Sequence, residues 1–163
     1  MAETQEAKQD LYAQARVLIG QARAASLATV TQGAPFAALV TPAFLPDLSA
    51  ILLLSQLSAH TKHLAENPAC ALLVTGQPAT ENPQTAPRIC LSGAAAVDPD
   101  PATRETFLKI HPYAAQYADF TDFAFWRLRF TSAHFIGGFA AASQLDVAAL
   151  HKKIIDQRII SSD

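Results

Sequence analysis

Six or seven short apolar runs, each bounded by turn-forming residues, constrain this chain more than any other feature. Residues 24–30 lead into the turn Thr31-Gln-Gly33, and 35–41 follow with Pro35 at the start, where a missing N–H is tolerated. The segment Leu45-Pro-Asp-Leu-Ser49 turns the chain into 50–55, and 69–74 and 88–97 come next. Gly93 inside the last of these marks a bulge or bend. Across 123–130, Ala124, Trp126, Leu128 and Phe130 share one face, and Phe125, Arg127 and Arg129 the other. Residues 133–136 continue as strand until Gly137-Gly138 breaks it. Runs of this length with tight connections predict a small antiparallel barrel rather than alternating β/α units. Closing the sheet removes exposed edges.

Helical patterns flank and interrupt these runs. Leu11, Ala15, Leu18 and Ala22 fall on one face of a helix predicted over 5–23. Asp100 as N-cap and Pro101 at the first position start a second, which ends before Pro112. A last helix is predicted over about 146–158. Residues 75–87, with Gly76, Pro78, Pro83 and Pro87, read as an exposed loop.

The stretch from Ser55 to Pro68 carries the candidate chemistry. Ser58 stands where an N-cap belongs, Asn67-Pro68 supplies the stop, and His60, Thr61 and Lys62 occupy the first turn. Unpaired N–H groups and the positive dipole end gather there, so a hydroxyl and an ammonium make a seat for phosphate. Between Ala24 and Arg88, Lys62 is the only Lys or Arg before Arg88 itself. Ordinary capping with a solvated lysine fits the same residues.

Half of the 163 residues are apolar and 16% are charged, enough for one domain with a sizeable core and some apolar surface between subunits. A net charge of -2 gives no nucleic-acid footprint. No apolar run is long enough to span a bilayer, and the polar start Met-Ala-Glu-Thr-Gln-Glu does not read as a signal peptide. A cytoplasmic location is expected. Cys70 and Cys90 read as reduced thiols in strands, and no Cys/His spacing suggests a metal.

In this order the strands resemble the pyridoxamine 5'-phosphate oxidase-like FMN-binding split barrels, and within them the branch related to haem-utilisation proteins. Four stretches carry the resemblance: Ala25-Ser-Leu-Ala-Thr-Val30 with Gly33-Ala-Pro-Phe36; Leu54-Ser-Gln-Leu-Ser-Ala-His-Thr-Lys-His-Leu64; Glu66-Asn-Pro-Ala-Cys-Ala-Leu-Leu-Val74; and Phe125-Trp-Arg-Leu128 with His134-Phe-Ile-Gly-Gly-Phe139. The fold so implied is mainly β with flanking helices, a six- to seven-stranded antiparallel split barrel over about 24–140 in a single domain of residues 1–163. The resemblance also implies a homodimer with FMN at its interface. It places the FMN phosphate at Ser58, His60, Thr61 and Lys62, and the isoalloxazine along Leu39, Val40 and Thr41, with Ser55 and Leu57 beside the ring. Arg127 is a candidate for cofactor, partner or solvent, and Trp126 for core or interface packing.

The function implied is an FMN-dependent oxidoreductase acting on a small molecule. The C-terminal substrate-binding segment of pyridoxamine phosphate oxidase, with its Arg and His, is not matched by Leu145–Asp163, so that reaction is not expected. The alternatives are a haem-binding or haem-degrading protein and a flavin-binding sensor without turnover. For haem, the candidate ligands are His60, His63, His111, His134 and His151. The phosphate seat accounts for the first two without haem.

Overall fold

The computed structural model describes residues 2–138 and 142–151. Helix α1 (Ala2–Gln21) precedes strands β1 (Ala25–Thr31), β2 (Ala34–Val40), β3 (Ala43–Phe44) and β4 (Ala50–Ser55). Helix α2 (Ala59–Glu66), β5 (Ala69–Thr75) and β6 (Arg88–Val97) follow, then α3 (Pro101–Ile110), β7 (Phe123–Ile136) and β8 (Ala142–Leu145). Residues 147–151 are helical. The rest of the helix predicted to 158 lies outside the described residues.

All eight strands join one antiparallel sheet in the order β2-β1-β5-β6-β7-β4-β3, with β8 also on β7. This is the expected split barrel with flanking helices, and its spine is β7. One edge of β7 pairs with β6 from Arg88↔Ile136 to Val97↔Trp126. Its other edge is shared: β4 pairs with Phe123 to Leu128, and β8 with Ala133 to Ile136. The two runs read in sequence as 123–130 and 133–136 are therefore one strand of 14 residues. The path ends at β2 and β3, which do not pair with each other among the described residues, and the barrel is open between those edges. The added strands β3 and β8 are too short to carry a period, at two and four residues.

Gly93 does mark a bulge. The β6–β7 register shifts between Ser92 and Gly93, and a Cβ on Gly93 would lie 1.9 Å from the Arg129 carbonyl oxygen. Two strands can approach this closely only where a side chain is absent.

Alternation sorts each strand onto two faces. Leu27, Leu72, Leu91 and Leu128 point inward and are buried, and Trp126 joins them. Each fully buried leucine contributes roughly 1.5–3 kcal/mol relative to exposure. Tyr12, Ala15, Leu18 and Ile19 of α1 close one end of this core. On the other face of β4 and β7, Ile51 and Phe125 meet Phe107 of α3 and Ala114 in the 3-10 turn Pro112–Gln116. Asp100 caps α3 as the sequence predicts, accepting the Ala102 N–H at 2.9 Å.

Among the described residues, no helix covers the outward face of β2, β1, β5 and β6. Pro35, Ala37 and Leu39, then Ser26, Ala28 and Val30, then Leu73, Ala71 and Ala69, then Cys90 and Ser92, lie side by side in register. None of these residues is charged, and Leu39 and Leu73 are 78% and 39% exposed.

Candidate functional site

Helix α2 is the wall between two clefts. The first, of about 240 Å³, is lined by Leu39, Val40 and Thr41, by Leu52 to Ser55, and by Ser58, His60 and Phe123. The second, of about 360 Å³, is lined by Gln56, Thr61, Lys62, Ala65, Val97, Ala124 and Trp126. Helix geometry explains the division. At about 100° per residue, Thr61, Lys62 and Ala65 centre about 150° around α2 from His60. The four residues read in sequence as one phosphate seat are thus parted, Ser58 and His60 to the first cleft, Thr61 and Lys62 to the second.

Asp122 fixes the turn that starts α2. Ser55 Oγ donates to Asp122 Oδ2 at 2.6 Å and accepts the Leu57 N–H at 3.1 Å. The Gln56 N–H donates to the Asp122 carbonyl at 2.7 Å. Nothing local in the sequence announces a partner 67 residues away. Ser58 occupies the N-cap position with extended backbone, φ −72 and ψ 142, yet its hydroxyl makes no capping bond.

The histidines divide by their surroundings. His63 Nδ1 lies 3.1 Å from Thr29 Oγ1, and its ring stands edge-on to Phe36 at 5.2 Å. The His111 Nε2–H donates to the Pro42 carbonyl at 3.1 Å inside the second core. His134 is exposed on β7, opposite Cys90. His60 is half-buried in the first cleft, and no hydrogen bond holds its ring among the described residues. Burial first, then the nearby His63, hold its pKa below the ordinary histidine value. Its ring is therefore neutral near pH 7, the form that ligates metals.

Val40, Thr41, Ser55, Ser58 and His60 thus share one cleft. Leu57 is 76% exposed and lines neither cleft. Arg127 is also elsewhere: its Nε–H donates to Asp98 Oδ2 at 2.5 Å, and its Nη groups donate to Ser49 and Thr103 hydroxyls at 3.2 and 2.7 Å. Trp126 packs in the core, as one of its two sequence readings has it.

A barrel open between β2 and β3, with a cleft where β2, β4 and α2 meet, is the fold of the pyridoxamine 5'-phosphate oxidase-like split barrels. The chain matches the family model described as "CREG, beta-barrel" over residues 6–152, and it belongs to that family. It is 36% identical over 114 residues to the "Non-canonical heme oxygenase HOZ, chloroplastic" of Arabidopsis thaliana, a match covering 68% of this chain and 34% of HOZ. The heme binding protein of Mycobacterium smegmatis superposes with a TM-score of 0.80 at 26% identity, over 87% of this chain and 60% of that one. HutZ, the haem storage protein of Vibrio cholerae, gives a TM-score of 0.64 at 16% identity, over 74% and 89% of the two chains, a likeness of fold. The chain thus spans about a third of the curated relative and three fifths of the mycobacterial structure.

These relatives overturn the expectation of FMN. Those named for a ligand are named for haem. The physical reason the phosphate argument misled is the position of Lys62. Its ammonium was counted with Ser58 and His60, but it lines the opposite side of α2. Among the described residues no helix is long and apolar enough to cross a membrane.

Proposed function

We propose that this protein binds haem in the first cleft, where His60 would hold its iron. The observation that carries the reading is His60 itself: an imidazole half-buried among Leu39, Val40, Leu52, Leu53, Leu54 and Phe123, with no hydrogen bond to its ring among the described residues. A neutral imidazole is a good haem-iron ligand, and apolar walls suit the macrocycle. The residues present therefore fit the group. HOZ is named a heme oxygenase and the mycobacterial protein a heme binding protein, so a haem-binding step is common to both names. Bound haem would supply the iron redox chemistry; the chain supplies the ligand, the apolar wall and the Asp122-held turn that sets the start of α2.

The site is completed by a second copy of the chain. At about 240 Å³ the cleft is smaller than the ~300–1,000 Å³ typical of enclosing ligand pockets. Leu39 belongs both to the cleft and to the uncharged outward sheet face. A homodimer formed across that face would cover apolar surface and add a second wall to the cleft.

Haem titration of the purified protein tests the reading. A Soret band that shifts and saturates at stoichiometric haem is expected, with His60→Ala losing the shift while keeping the fold. No shift in the unsubstituted protein, or the same spectrum and affinity in His60→Ala, would reject it.

A further inference from the structure

The second cleft contains two buried polar atoms without partners. Trp126 Nε1 and Thr61 Oγ1 are both closed to solvent and make no hydrogen bond among the described residues. Their residues are 6% and 4% exposed, and both line this cleft. An indole N–H can only donate, and leaving it unmet when buried costs about 1–3 kcal/mol. Two such atoms beside one cleft call for an acceptor. Lys62 lines the same cleft with its ammonium in no ion pair among the described residues, and Gln56 adds an amide. The remaining walls are Ala65, Val97 and Ala124, which carry no polar side-chain atoms.

We propose that this cleft is a second ligand site, distinct from the His60 cleft, for a small organic carboxylate. The carboxylate oxygens accept from the Trp126 indole N–H and the Thr61 hydroxyl, and Lys62 balances the charge. The carbon body lies against Val97 and Ala124. Gln56 and Lys62 are both exposed, so they can swing aside to admit it. An inorganic oxyanion would satisfy the donors but leave the apolar walls uncovered, which favours a carbon-bodied acid. This site does not rest on the haem reading, since the two clefts share no lining residue.

Trp126 is the only tryptophan, so its indole N–H gives one cross-peak in an ¹⁵N-labelled sample. Benzoate, benzyl alcohol and inorganic phosphate are the probes. Benzoate is expected to move that peak saturably in the millimolar range, while benzyl alcohol and phosphate leave it in place. Lys62→Ala, at an exposed position, should weaken benzoate binding roughly tenfold, and the isosteric Thr61→Val by several-fold. Three results would overturn the proposal: a peak that benzoate does not move but that exchanges magnetisation with water, which makes the partner a buried water; an equal response to benzyl alcohol or phosphate; or unchanged benzoate affinity in both variants.

Discussion

The Arg127 guanidinium ties Asp98, at the end of β6, to the middle of β7. Its Nε–H donates to Asp98 Oδ2, and both side chains are about 15% exposed. Thr103 of α3 and Ser49 before β4 join the same group, and Asp47 accepts from the Ser49 hydroxyl at 2.6 Å. Burial pushes the Asp98 carboxyl up. Hydrogen bonds from Arg127, Thr103 and the Asp100 N–H, with the Arg127 charge, outweigh that and hold its pKa below the ordinary value. Arg127→Met leaves Asp98 without its cation and is expected to cost about 2–4 kcal/mol in urea unfolding. The sign with pH follows from the lowered pKa. The contribution is full above the unfolded value of about 3.9 and disappears as pH falls through the lower folded value. Acid titration of Arg127→Met should therefore show a weaker dependence on pH in this range than the parent.

Two glycines give opposite expectations. A Cβ on Gly93 would meet the Arg129 carbonyl oxygen at 1.9 Å, a contact only backbone movement could relieve. Gly93→Ala should destabilise by about 3 kcal/mol or more, or abolish soluble expression. Gly20 lies within α1, exposed, with nothing within 4 Å of its Cβ position. Gly20→Ala should stabilise by about 0.5–1 kcal/mol. Thermal unfolding of the pair separates close approach from ordinary helix propensity.

What the sequence revealed followed distance along the chain. The long strands, Gly93 at its bulge and Asp100 as cap were legible because their signals are local. Strands β3 and β8 were not, because they exist only as partners of β4 and β7. At the site, the family resemblance grouped Val40, Thr41, Ser55, Ser58 and His60, and these five line one cleft. The opposite direction of Lys62 was also readable, since two residues along a helix point nearly opposite ways. Reading a cap as a single seat concealed it. The hold of Asp122 on Ser55 and the Arg127 network join residues far apart in sequence, which no period or spacing reports.

The two cysteines should differ in reactivity. Burial raises the Cys70 thiol to a pKa of about 11, so almost none is thiolate at pH 8. Cys90 is less buried and faces outward on β6. Iodoacetamide at pH 8 should leave Cys70 unmodified in the native protein and label it once urea unfolds the chain. Peptide mass spectrometry reads both sites. Native labelling of Cys70 as fast as in urea would contradict the burial that raises its pKa.

A charge on the outward sheet face tests the second copy. Leu73 lies between Ser26 and Cys90 in register, 39% exposed and clear of both clefts. Leu73→Lys should fold normally but shift the protein from dimer to monomer in light scattering, because pairing would bury an uncompensated ammonium. Its haem affinity should fall with the dimer. A parent protein that is monomeric at all concentrations would remove the shared-site reading.

The last prediction concerns protons at His60. Its pKa lies below the ordinary value of about 6.5, from burial and then from His63. Only the neutral ring can ligate iron, so haem affinity should be flat at high pH and fall once pH drops through the folded pKa. Stability without haem moves in the same direction. The unfolded chain takes up a proton near pH 6.5 that the folded chain resists, so stability declines as pH falls from about 6.5 towards the folded value. His63→Gln removes the neighbouring imidazole that lowers the His60 pKa and should move the fall in haem affinity to higher pH, without abolishing binding. His60→Ala should remove both pH dependences. A pH profile of haem affinity unaltered by His63→Gln would mean that another group governs ligation.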